Sequence, residues 1–146
     1  MSLRAELVRF CLPWFMRPRS QSDIQIEDAR RQVARFAQLV PRPPRGTELA
    51  VVDAGGVKAE RIATPRSLPN RYILHLHGGA YLLGFPALFR DFNWRIADVT
   101  GARVLCIDYR VAPEHPFPAA IEDVAAAYRW LISQYAEPRH VGFVGD

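Results

Sequence analysis

The sequence predicts an α/β domain, a mostly parallel sheet covered by helices and preceded by a helical segment. Three observations carry this. Apolar residues recur at three- and four-residue steps as far as Val40, and after a Pro-rich stretch the pattern changes to short apolar runs. Two of those runs flank Ala54-Gly55-Gly56, a hairpin signal. Strand-like and helix-like segments then alternate to the end of the sequence, which is the pattern of a sheet that becomes parallel.

The first helical part spans about residues 3–40. Ser22 and Gln25 fit a capping box, in which each side chain satisfies the other's free backbone N–H. Ala29, Val33, Phe36, Ala37 and Val40 form one apolar face, and Pro41, Pro43, Pro44 and Gly46 end the segment and make a linker. Residues 1–45 are thus expected to be a helical cap and linker, and residues 46–146 the sheet-bearing core. Glu48–Asp53 and Val57–Ala63 read as the hairpin strands and Arg71–Leu76 as the next strand. Pro86 fits a first helical turn, with Phe85, Phe89, Phe92, Ile96 and Val99 on the inner side and Gly101 at the C′ position. Arg103–Ile107 is an apolar run suited to a strand buried on both faces. Pro118 opens another helix, whose inward residues are expected to be Ile121, Val124, Ala125, Tyr128, Leu131, Ile132 and Tyr135. His140–Val144 is the last strand.

With 49% hydrophobic residues in 146, the chain can bury a real core. The net charge of +4 is uneven: residues 1–45 carry nine Arg against four acids, and residues 46–146 ten bases against eleven acids. The basic end reads as a solvated, Arg-rich cap rather than a nucleic-acid or lipid footprint, so no nucleic-acid partner is expected. Cys11 and Cys106 give no disulfide framework, and Cys106 sits in an apolar run as a small buried residue. A reducing, cytoplasmic setting is the expectation. The run Phe10–Met16 is short and lacks a small-residue cleavage site, and no stretch reaches the ~18 apolar residues of a membrane span. Neither a signal peptide nor stable membrane insertion is expected.

Two motifs carry chemistry. His77-Gly78-Gly79-Ala80-Tyr81 follows a strand, where glycines permit a sharp turn and close approach of a substrate. Backbone N–H groups aimed at a carbonyl oxygen lower the barrier to acyl transfer. The second motif is the string from Asp108 to Ala120, Asp-Tyr-Arg-Val-Ala-Pro-Glu-His-Pro-Phe-Pro-Ala-Ala. His75 and His77 share one strand face, but a metal site needs further ligands and neither His115 nor His140 is placed to supply one. No metal is expected.

Together, over about residues 50–146, these motifs resemble the α/β-hydrolase-fold esterases of the hormone-sensitive lipase family. The resemblance implies the N-terminal part of that fold, with the helical segment as its cap. It implies that Gly78, Gly79 and Ala80 form an oxyanion hole, with Gly78 allowing the turn and the N–H groups of Gly79 and Ala80 as donors. The family's usual third glycine is Ala80 here, which keeps the N–H but narrows the permitted dihedrals. His77 would hold the loop rather than act as base, and Tyr81 would wall the site. Asp108, Arg110 and Glu114 would be structural charges, with a buried Arg held by carboxylates fixing the loop. Asp146 would immediately precede the nucleophile. The triad order of Ser, then Asp or Glu, then His falls after Asp146, and Ser2, Ser20, Ser22, Ser67 and Ser133 lack the Gly-x-Ser-x-Gly context. The 146 residues alone are therefore expected to lack nucleophile, acid and base and to be inactive, since a whole fold of this kind takes about 250–300 residues. The resemblance implies hydrolysis of a small carboxylic ester through an acyl-enzyme in the intact enzyme, with no cofactor. Two other readings stay open: a non-catalytic module that binds an apolar or acyl ligand, and one half of a two-chain hydrolase. Partners are then a separate C-terminal half or further copies of the chain.

Overall fold

The computed structural model describes residues 26–146. The Ser22–Gln25 capping box and the run Phe10–Met16 lie outside the described residues. Helix α1 spans Ile26–Ala37. Its expected apolar face is only half-covered, and none of its residues is fully buried. The helix stops at Ala37, and Gln38, Leu39 and Val40 close it with turn hydrogen bonds.

Five strands follow: β1 (Glu48–Asp53), β2 (Lys58–Ala63), β3 (Tyr72–Leu76), β4 (Arg103–Ile107) and β5 (Val141–Gly145). They lie side by side in the order β1-β2-β4-β3-β5. The β1–β2 hairpin is antiparallel, with Asp53 opposite Lys58 and a turn closed by Ala54 N–H donating to the Val57 carbonyl. Its β2 strand runs antiparallel to β4, and β3 pairs in parallel with both β4 and β5. The expected change from hairpin to parallel sheet is what the molecule shows.

Two helices connect the parallel strands. A 3₁₀ turn at Pro86–Phe89 leads into α2 (Arg90–Thr100), and α3 spans Ala119–Gln134. Gly101 ends α2 in the left-handed conformation, φ 64°, as the sequence predicts. Strand residues alternate between faces. Ala59, Tyr72, Leu74, Leu105 and Ile107 form the main core with Ala127 and Leu131 of α3. Glu60, His75 and Cys106 point to the other face, where Arg90 and Phe92 of α2 meet Glu60 and His75. The chain thus leaves β3 towards one face and β4 towards the other. In open α/β sheets, that divergence opens a crevice at the carboxyl ends of the strands.

Each helix keeps part of the expected inward face and turns part of it out: in α3, Leu131 is buried as expected and Val124 and Tyr128 pack against the core. In α2 the buried residues are Asn93 and Ala97, whereas Phe92 and Val99 are 45% and 80% exposed. In α3 the buried residues are Ala119, Asp123, Ala127 and Leu131, while Ile121 is 53% and Tyr135 40% exposed. Each true face contains a polar side chain that apolar periodicity counts as outward. Asp123 is held there by Arg110, and Ala127 is small enough to let α3 approach the sheet. Cys106 is buried and unpaired, and burial pushes its thiol up to about 12.

Candidate active site

The carboxyl ends of β3, β4 and β5 deliver the two sequence motifs and Asp146 to one edge of the sheet. At Gly78 the backbone N–H donates to Asp146 Oδ1 at 2.7 Å. A Cβ on Gly78 would lie 2.6 Å from Asp146 Oδ2, so only glycine lets this carboxylate seat. That corrects the expected role of Gly78. It is not in the left-handed region; the residues that turn the chain are Gly79 (φ 128°), Ala80 (φ 55°) and Tyr81 (φ 59°). Two consecutive non-glycine residues with positive φ each carry about 1–2 kcal/mol of strain. Strain of this kind clusters at functional sites.

The turn is tied off from inside. Leu82 and Leu83 N–H groups both donate to the Gly79 carbonyl, at 2.9 and 3.0 Å. A Cβ on Gly79 would lie 2.4 Å from Leu83 O. The N–H groups of Gly79 and Ala80 take part in none of these bonds, and among the described residues nothing accepts from them. Two adjacent donors are left free at the mouth of the crevice.

His77 is buried beneath the turn. Its Nδ1 meets the Gly78 carbonyl at 2.9 Å, its ring stacks on Tyr109 at 4.3 Å and 9°, and the Tyr109 hydroxyl donates to the His77 carbonyl. The ring is thus enclosed between the turn and Tyr109. Burial pushes the Tyr109 hydroxyl up to about 12, so it stays a donor. His75, one pleat earlier on the same face, lies 3.6 Å from Asp146 Oδ1 and packs on Phe89 and Phe92. Burial lowers the His75 pKa, which favours the neutral ring. Tyr81 is 60% exposed at the mouth, near Tyr109. Asp108 is half-buried beside Gly84, and burial raises its pKa.

Arg110 is held by carboxylates as expected, but it is not buried, and a second arginine braces Glu114. Arg110 is exposed, and it bonds to Asp123 and Glu122 of α3 rather than to Asp108 or Glu114. Glu114 instead receives Arg30 of α1, at 2.7 and 2.9 Å. That hydrogen bond holds the Glu114 carboxyl down at about 2. Arg30 lies 84 residues away in sequence, and no local signal marks it. Tyr109 was also missed as a brace, although it sits inside the motif.

Neither described serine reaches the turn. Ser67 Oγ donates to the Ala102 carbonyl, before β4, and Ser133 Oγ to the Trp130 carbonyl, late in α3. An open hollow of about 670 Å³ lined by Asn70, Arg129, Tyr135 and His140 also lies at that opposite end of the sheet. Among the described residues, no three His, Cys, Asp or Glu side chains converge as a metal site would require.

Residues 73–146 match the family model for the alpha/beta hydrolase fold. The chain belongs to that family. The α/β-hydrolase relationship extends to curated relatives. The chain is 45% identical over 96 residues to an acetyl-hydrolase of Streptomyces hygroscopicus, a match covering 66% of this chain and 32% of the relative. It is 30% identical over 131 residues to an esterase of Acinetobacter venetianus, covering 90% and 43%. Among solved structures, an esterase from the bacterial hormone-sensitive lipase family superposes with a TM-score of 0.87 at 33% identity, over 100% of this chain and 48% of that one. An esterase/lipase from an uncultured bacterium gives 0.87 at 31% identity, again over 100% and 48%. The α/β-hydrolase chain described here thus spans 32% to 48% of the length of these relatives. Among its described residues, no helix is long and apolar enough to cross a membrane.

Proposed function

We propose that this chain provides the oxyanion side of a carboxylic ester hydrolase, with Gly79 and Ala80 as the donors and residues 1–45 as its cap. The observation that carries this is the pair of unpartnered N–H groups in a strained left-handed turn, beside the end of β5. When a nucleophile attacks an ester carbonyl, the oxygen gains negative charge. Two fixed amide donors stabilise that charge without reorganising at the moment of reaction. The dipoles are held in advance by His77, Tyr109 and the Leu82 and Leu83 bonds. The nucleophile, acid and base are in this reading contributed by residues other than those described, because Ser67 and Ser133 lie at the far end of the sheet. The substrate is a small ester, which the names of the relatives support. A reducing compartment suits a chain whose described cysteine is buried and unpaired.

The test is p-nitrophenyl ester hydrolysis with and without a serine-directed phosphonate. The 146 residues alone are expected to give no phosphonate-sensitive turnover. A protein that joins them to a serine nucleophile is expected to give it and to lose it on stoichiometric labelling. Phosphonate-sensitive turnover from the 146 residues alone, or none from the joined protein, refutes the reading.

A further inference from the structure

The Arg30 guanidinium reaches well beyond Glu114. Its Nε donates to the Leu82 carbonyl at 2.9 Å and its Nη2 to the Ala112 carbonyl at 2.9 Å, while Nη1 and Nη2 also hold the Glu114 carboxylate. Leu82 belongs to the turn after β3, and Ala112 and Glu114 to the loop after β4. These two segments meet directly through Ala112 N–H, which donates to the Tyr81 carbonyl at 2.7 Å. A single side chain from α1 therefore closes a ring of bonds around the junction of both motifs. That side chain is only 17% exposed, although α1 buries none of its residues fully. Apolar packing is a weak source of orientation for this helix, and the fork of donors is the specific one.

The geometry points to Arg30 as a positioning residue that latches α1 onto both loops and so fixes the Ala80 amide. The path is short. Arg30 holds the Leu82 carbonyl, and the N–H of the same residue donates to the Gly79 carbonyl, which shares its peptide unit with the Ala80 N–H. Releasing Leu82 lets that peptide plane tilt. Glu114 aims the fork and needs no substrate contact. A guanidinium is required because three acceptors lie in different directions; a lysine ammonium keeps the charge but not the fork. The catalytic consequence rests on the ester-hydrolase reading, whereas the latch itself does not.

The experiment compares Arg30→Gln, Arg30→Lys, Glu114→Gln and the double variant R30Q/E114Q with a control, Arg31→Gln, whose side chain among the described residues bonds to Asp28 of its own helix. Amide hydrogen exchange is followed at Leu82, Leu83 and Ala112, with Leu74 and Leu105 as core references. Exchange at the three loop amides is expected to rise by about tenfold or more in both Arg30 variants, with the core references and the control unchanged. The double variant is expected to match Arg30→Gln, because the two residues act as one unit. In the protein that turns over ester, kcat is expected to fall by about tenfold to a hundredfold with KM nearly constant, the mark of a misplaced rather than a missing donor. Unchanged loop exchange in Arg30→Gln, or wild-type exchange in Arg30→Lys, overturns the latch. Faster loop exchange with unchanged kcat overturns the positioning role. Faster loop exchange in a protein with no ester turnover at all leaves the latch standing and overturns only the ester reading.

Discussion

Replacing Gly79 by alanine perturbs the proposed donor pair and little else. The new Cβ would sit 2.4 Å from Leu83 O and 2.9 Å from Leu83 Cβ, on a backbone with φ 128°. Real Cβ contacts hardly ever fall below 3.0 Å, so the turn must open by about 0.6 Å even before the dihedral relaxes. Leu83 cannot retreat alone, because its N–H is bonded to the Gly79 carbonyl. The displacement therefore passes to the 79–80 peptide. A misplacement of about 1 Å costs about a hundredfold in rate, and loss of one oxyanion donor costs about 10²–10³ in kcat, or about 2.7–4 kcal/mol. The two routes agree, so kcat in ester hydrolysis is expected to fall by about a hundredfold or more with KM little changed. Gly142→Ala is the control, since its Cβ would meet only Ile73 Cγ1 at 3.7 Å. A folded Gly79→Ala protein with kcat within about threefold of wild type refutes the reasoning, because a donor pair worth 10² cannot survive that shift.

Further expectations concern stability and association. Leu131→Ala, at a fully buried core position, is expected to cost about 2–5 kcal/mol in denaturant unfolding, while Ile121→Ala stays within about 0.5 kcal/mol; equal costs would mean that α3 packs on its other face. Burial lowers the His75 pKa below its ordinary 6.5, so the native state binds that proton less tightly than the unfolded chain does. Stability is then expected to fall as pH drops through 6.5, by up to about 1.4 kcal/mol per pH unit, and His75→Leu should flatten that slope; an identical slope in the variant would remove His75 as the cause. Among the described strands β5 pairs on one side only, with Phe143 57% exposed, so the 146 residues are expected to self-associate in light scattering. Phe143→Lys should reduce that association, and a monodisperse wild-type monomer would contradict it.

The legible parts of the sequence were those with short-range causes. The Gly55-Gly56 hairpin, the Gly101 helix stop and the doubly buried Arg103–Ile107 strand each follow from a few adjacent residues. The His77–Tyr81 turn was visible as a motif, but not the reasons for its two glycines. Gly78 answers to Asp146, 68 residues away, and Gly79 to Leu83. The helix faces were misread where polar residues turn inward. Asn93 and Asp123 are buried, so counting apolar residues placed Val99 and Ile121 inside instead. The brace on Glu114 was out of reach for a different reason. The sequence shows many arginines, and only the folded chain shows that Arg30, rather than Arg110, meets two carbonyls and a carboxylate.

The central claim is that Gly79 and Ala80 hold the developing oxyanion, and the most direct measurement is a crystal structure of the ester-hydrolysing protein bearing a phosphonate or boronate adduct on its nucleophile. The adduct oxygen is expected about 2.7–3.1 Å from both the Gly79 and Ala80 nitrogens, with Gly78 N–H still on Asp146. An adduct oxygen held elsewhere, with both nitrogens more than about 3.5 Å away, would contradict it.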